Sequence, residues 1–321
     1  MSNKTIAKFG RLVIFVITAC AFASSCARVS PEDRYRVDAA EFSADYEKPV
    51  AVGRIESGDV TESSGLAASL CQPNVFWTHN DSGDDAFVFA MTSTGKHLGA
   101  WRVTNARNDD WEDIAEYKAA DGTCYLYIGD IGNNKLDRVE DEVYRVKEPL
   151  VSDTSATSNK KNPLQTEAAE LTAFKYPDTP HNAETMVVQP RSGDIYVLTK
   201  RLDGPSLVFK IKPQFGSTQV VIGEKVGEIS LPAVPNGLLT GGSVSQDGKI
   251  VFLCDYSAGY ELDLGAATNF DDVWKRKPIR VDLGDRKHGE AVTFGADGNE
   301  IFGTSEGKNA EIFEVKRKLR R

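Results

Sequence analysis

Carboxylates recur in this chain at one position of a repeated unit, and oxygen-rich clusters of that kind suit hard cations. The clearest copy is Trp111-Glu112-Asp113-Ile114-Ala115. Ala183-Glu184-Thr185-Met186-Val187 and Gly289-Glu290-Ala291-Val292-Thr293 share its shape. Ser63-Ser64-Gly65-Leu66-Ala67 and Gly241-Gly242-Ser243-Val244-Ser245 are degenerate copies. With the copies aligned on Leu66, Ile114, Met186, Val244 and Val292, the residue two before is Ser64, Glu112, Glu184, Gly242 and Glu290. The residue four before is Glu62, Asp110, Asn182, Thr240 and His288. A third column, at the close of the next apolar run, is Asp81, Asp130, Lys200, Asp255 and Glu306.

Brought to one place, these carboxylates cannot all stay ionised; some must protonate, pair with cations or bind a metal. Oxygen donors with almost no Cys or His favour Ca2+ first and Mg2+ second, and argue against zinc. The metal-ligand candidates are Asp81, Asp110, Glu112, Asp130, Glu184, Asp255 and Glu290. Glu112, Glu184, Glu290 and His288 are the candidates for catalytic ligand, base or proton carrier. His79, Trp111, Lys200 and Arg201 are the candidates for ligand contact. The competing reading is a water-filled polar channel whose Asp residues cap turns.

The elements that would position these residues are short strands. Each copy opens a run of about four strands rich in Val, Phe, Leu and Trp, bounded by turns such as Asn80-Asp81-Ser82-Gly83 and Ser93-Thr94-Gly95. Such repetition predicts an all-β β-propeller of four-stranded blades. The count gives five blades, and a sixth within 147–182 or 212–240 stays open. The fifth unit carries three strands, and Pro49–Glu56 supplies a lone N-terminal strand to close the ring and remove open sheet edges. The first strand of each blade lines the central channel, so the three polar columns should converge at one mouth.

The chain has 321 residues and a formal charge of -9, with 40% apolar and 26% charged residues, ordinary for a globular protein. The acidic balance argues against nucleic acid, and the basic tail 317–321 reads as a solvated end. Residues 1–26 read as a signal peptide, with Lys4, Lys8 and Arg11 before an apolar run. Ile17-Thr18-Ala19-Cys20 resembles a lipobox with Cys20 as the lipidated residue; Cys26 is the alternative, and an ordinary cleaved signal is the competing reading. The mature chain is then expected in the cell envelope as a periplasmic or surface lipoprotein, otherwise secreted. Membrane contact is through the anchor only; residues 27–48 form a flexible tether, the propeller spans 49–316, and the chain is a monomer. Export permits a disulfide, and Cys71 and Cys124 occupy equivalent places in consecutive units. Three buried thiols, with Cys254, are the alternative.

Other signatures are missing. Asn80–Asp85 lacks the later ligands of an EF-hand. Gly129-Asp130-Ile131-Gly132-Asn133-Asn134 lacks the Lys-Ser/Thr ending of a phosphate loop, and the chain has no Gly-x-Ser-x-Gly elbow. The series Trp77–Gly83, Asp110–Ala115, Gly129–Asn134, Tyr144–Pro149 and Thr304–Gly307 resembles a family of exported bacterial β-propeller proteins. More distantly, the recurring Glu before an apolar residue is similar to calcium-dependent β-propeller phytases and gluconolactonase-like propellers. That resemblance implies channel carboxylates holding Ca2+. The phosphate-binding Lys and Arg cluster of the phytases is matched here only by Lys200, Arg201 and Arg107. Two functions follow: an exported propeller that binds a cation and a small ligand or envelope protein at its acidic mouth, or a calcium-dependent hydrolase of a phosphoester or lactone.

Overall fold

The structure, a computed structural model, describes residues 36–37 and 41–318. Runs of β-branched and aromatic residues broken by Gly and Asn turns build five blades around one axis. The innermost strands are Ser63–Ala68, Trp111–Lys118, Ala183–Val188, Gly241–Val244 and Gly289–Phe294, and each lies beside the next in that cyclic order. Within every blade the four core strands pair antiparallel, outward from the axis. The fifth blade takes its outermost strand from the N-terminal side: Val50–Arg54 pairs with Glu311–Lys316.

The core is divided among the five gaps between blades. The gap between the first and second holds Trp77, Trp101, Trp111, Ile114 and Leu126; the gap between the third and fourth holds Tyr196, Leu198, Leu253 and Trp274. Strands such as Ala183–Val188 and Ile195–Thr199 are buried along their whole length. Both faces touch a neighbouring blade, which explains the apolar runs Met186–Val188 and Ile195–Leu198. Each fully buried Leu, Ile or Phe contributes roughly 1.5–3 kcal/mol.

The sixth-blade alternative is overturned, because the two long stretches spend their strands on existing blades. Leu164–Ala168 adds to the outer edge of the first blade, parallel to His97–Thr104. Val221–Ile222 adds to the second, parallel to Glu170–Lys175. The expected free tether also needs correction over 41–48. Tyr46 is buried beside Phe252 and donates its hydroxyl to Glu261, and Ser43 N–H bonds to the carbonyl of Arg280. Residues 1–35, with Cys20 and Cys26, lie outside the described residues. Among the described residues no helix is long and apolar enough to cross a membrane. Cys71 and Cys124 form a disulfide that ties the first two blades, and Cys254 is a buried free thiol.

At the axis, Asp113 is fully buried. Its Oδ1 accepts from Ile114 N–H at 2.9 Å, and its Oδ2 accepts from Met186 N–H at 2.9 Å and Gly242 N–H at 3.2 Å. One carboxylate thus joins three innermost strands. Asp113→Ala leaves those donors without a partner in the interior, a cost of roughly 3 kcal/mol. Urea unfolding should show a clearly lower midpoint; an unchanged midpoint would mean the pin is dispensable.

Candidate functional site

The glutamate column owes its direction to a repeated backbone irregularity. Trp111 pairs with Asp130 and Asp113 with Gly129, leaving Glu112 as the extra residue of a bulge. Glu184 is extra between Ala183–Thr199 and Thr185–Leu198, and Glu290 between Gly289–Ser305 and Ala291–Thr304. Ser64 falls within the corresponding shift of the first blade. A bulge re-aims a side chain out of the pleat's alternation. In the fourth blade Gly241–Cys254 and Gly242–Leu253 pair in register, and that column position is a glycine with no side chain to turn.

Asp81, Asp110 and Glu112 each place a carboxylate oxygen within 4.8 Å of the others. Asp81 follows the second strand of the first blade, and the other two open the second blade. Asn108 laces the two together: its Nδ2 donates to the carbonyls of Asn80 at 3.2 Å and Asp81 at 3.0 Å, and its Oδ1 accepts from Trp111 N–H at 2.9 Å. Gly132 N–H bonds to the Asp110 carbonyl at 3.1 Å. A Cβ on Gly132 would fall 2.2 Å from Glu112 Oε1 and 2.3 Å from Asp110 Oδ2, so only glycine leaves these carboxylates their place.

A second group faces the same charges. Lys200 Nζ donates to Glu184 Oε1 and to the Tyr256 hydroxyl, both at 2.6 Å. Ser64 Oγ donates to Glu290 Oε2 at 3.2 Å. Burial, then the charges of Glu184, Asp81, Asp110 and Glu290, push the Glu112 carboxyl well above its ordinary value. Burial, then Glu184 and Glu306, do the same for Glu290. Asp81 is pushed up to about 7, mainly by burial, with Asp110, Glu184 and Glu306 adding to it. Glu184 rises less far, because Lys200 opposes its burial. Burial alone would pull the Lys200 ammonium down, but Glu184, Tyr256 and Glu290 hold it above its usual value. The mouth is therefore short of positive charge.

Several sequence candidates have other duties. Asp130 accepts from Asp109 N–H at 3.0 Å, Asp110 N–H at 3.1 Å and Arg138 Nη1 at 2.6 Å, so it fixes the chain at Asp110 instead of offering free oxygens. Asp255 accepts from the N–H groups of Ser257 and Ala258, both at 2.8 Å, and from the Tyr260 hydroxyl, which makes it a turn cap. His79 is fully buried, not a mouth contact; Nδ1 donates to the Asn80 carbonyl at 3.0 Å, and burial lowers the ring's pKa to about 4. Trp111 is fully buried in the interblade core and cannot wall a pocket at the mouth. Arg201 pairs with Asp203 at 3.1 Å. His288 is exposed, at φ +50°, with its ring 6.0 Å from that of Tyr256. Asn108, Gly132, Arg138 and Tyr256 were not among the candidates. Tyr256 directly follows the Asp255 column position, and Asn108 and Gly132 flank column residues, so the repeat alignment carried a faint signal for them.

No family model and no curated protein sequence matches the chain. Among solved structures, the fold is similar to a gluconolactonase from Xanthomonas campestris, with TM-score 0.46 and 11% identity over 88% of this chain and 95% of that one. A second structure, provisionally assigned as a gluconolactonase, has TM-score 0.43 and 13% identity over 89% of this chain and 100% of that one. A shared activity does not follow from identities so low.

The crowding has a pH signature. Folded Asp81, raised to about 7 from 3.8, keeps a proton that the unfolded chain has already lost. The folded state then binds more protons between those two values, and stability falls as pH rises through that window. In EDTA, urea unfolding should show this decline from pH 5 to 8, and Asp81→Asn should make it shallower. Equal slopes in the two proteins would place Asp81 in an ordinary solvated setting.

Proposed function

We propose that the channel mouth binds a divalent cation, Ca2+ before Mg2+, and through it a small ligand. The observation that carries this reading is the Asp81–Asp110–Glu112 group: three carboxylates from two blades, converging within 4.8 Å. Burial raises all three, Asp110 adds to the rise of Asp81, and Asp81 and Asp110 add to that of Glu112; a dication relieves both burial and repulsion. Asp81, Asp110 and Glu112 would hold the ion, with Glu290 the next carboxylate and Glu184 already engaged by Lys200. Ca2+ takes six to eight oxygens. Three carboxylates therefore leave coordination positions for a ligand's own oxygens.

A hydrolytic reading is the second, and the Lys200–Tyr256 pair favours it. A bound cation polarises a carbonyl or phosphoryl oxygen and lowers the pKa of its water. Lys200 and the Tyr256 hydroxyl would stabilise negative charge developing on a lactone or phosphoester, and Glu184 or Glu290 would take up a proton. We also propose that the protein is exported and anchored through Cys20 or Cys26, working as a monomer on a small molecule or an envelope partner. The Cys71–Cys124 disulfide supports an oxidising compartment.

Thermal unfolding of residues 27–321 in EDTA, then with Ca2+ or Mg2+, tests the cation. A ligand that binds only the folded state raises the midpoint by mass action. Ca2+ should raise it by several degrees in the parent protein and not in Glu112→Gln; no shift with either ion would sink the proposal. Gly132→Ala should weaken Ca2+ binding about 10–100-fold, as changes behind metal ligands do. Lys200→Ala separates the two functions: retained Ca2+ binding with lost turnover on a lactone and phosphoester panel supports the hydrolase.

A further inference from the structure

The loop that joins Cys124–Asp130 to Asp141–Lys147 in the second blade returns one side chain to the mouth. Of residues 134–140 only Arg138 is not exposed. The loop is closed on itself by Asn133. Asn133 Oδ1 accepts from the N–H groups of Asp137 at 3.0 Å and Arg138 at 3.3 Å, and its Nδ2 donates to the Arg138 carbonyl at 2.9 Å. Leu136, between them, sits at φ +55°, a conformation that a bulky residue keeps only where its surroundings impose it. Asn133 N–H donates to Asn182 Oδ1 at 2.6 Å, which ties the loop to the third blade.

Arg138 therefore reaches the site from a fixed base. Its Nη1 donates to Asp130 Oδ1 at 2.6 Å and to the Gly132 carbonyl at 3.0 Å, and its Nη2 donates to the Asp130 carbonyl at 3.0 Å. Asp141 flanks Nε at 3.6 Å. Asp130 and Gly132 are the two residues that hold the Asp110 backbone. Asp110 N–H donates to Asp130 Oδ1 at 3.1 Å, and the Asp110 carbonyl accepts from Gly132 N–H at 3.1 Å. One guanidinium thus grips both partners of a cation-ligand candidate. The task needs a planar fork of donors, which arginine has and lysine lacks.

We propose that Arg138 is a positioning residue of the cation site, fixing where the Asp110 carboxylate stands through Asp130 and Gly132. The inference rests on the cation reading above. A group that orients a ligand from behind is worth about 10–100-fold in metal affinity. Its effect follows from where its donors point, so a point charge in the same place does not replace it.

Calorimetric Ca2+ titration and amide hydrogen exchange in EDTA, both on the full chain, decide it. Arg138→Gln should lower Ca2+ affinity about 10–100-fold. Arg138→Lys, which keeps the charge and loses the fork, should fall into the same range. The unfolding midpoint confirms that each variant is folded. In EDTA, both variants should speed exchange of the Asp109 and Asp110 amides and leave that of Met186, held by Asp113, unchanged. Parent affinity in Arg138→Lys would show that charge alone suffices and overturn the proposal. Unchanged exchange at Asp109 and Asp110 would overturn the grip on the backbone. A parent chain that binds no Ca2+ would sink the cation reading instead, a failure the exchange rates do not share.

Discussion

The ring depends on how a propeller satisfies the backbone at its own axis. Five innermost strands meet there edge to edge, and an unpaired buried N–H costs about as much as a lost hydrogen bond. Asp113 answers that problem with a side chain: one carboxylate accepts from Ile114, Met186 and Gly242, across three blades. The arrangement needs a glycine in the fourth blade, where a Cβ on Gly242 would meet Thr185 Cγ2 and Val187 Cγ1, both at 2.9 Å. The same glycine that breaks the glutamate column therefore lets the strands close on Asp113. A degenerate repeat at this position is a packing requirement and not a decayed site.

Charge at the mouth follows from backbone geometry just as directly. A regular ladder would alternate successive side chains between the two interblade gaps. The bulges at Glu112, Glu184 and Glu290 take those residues out of the alternation and turn them to the mouth. Three carboxylates then share a poorly solvated space, and Lys200 opposes the charge of Glu184 and Glu290. That concentrates the energetic cost in one place, where protonation or a cation relieves it.

The repeat, the β-propeller and the convergence of carboxylates were legible in the sequence because a strand's period and a unit's spacing survive as residue pattern. The Cys71–Cys124 pairing was legible for the same reason: equivalent positions in adjacent blades lie close. What the pattern did not carry is which oxygen faces which donor. Asp130 and Asp110 look alike in a column, yet Asp130 spends its oxygens on backbone N–H groups and Arg138, eight residues on in an irregular loop. His79 sits near a blade top in sequence but is swallowed by the interface with Trp111, where it lies opposite the bulge of the innermost strand Ser63–Ala68. The extra edge strands Leu164–Ala168 and Val221–Ile222 pair parallel to distant neighbours, a non-local partnership that no short window encodes.

Glu112 and Glu116 show how far environment outweighs residue type. They stand four residues apart on one strand, and burial raises both. Glu112 is among other acids, so its neighbours repel its charge and a multivalent cation is the species that relieves the group. Glu116 lies beside the Leu70 backbone and a single acid, Glu148, so a proton on its carboxyl relieves it without an ion. Asp113, between them on the strand, is the only one of the three whose oxygens are fully supplied with donors by the protein itself, and it separates the two ends of the channel.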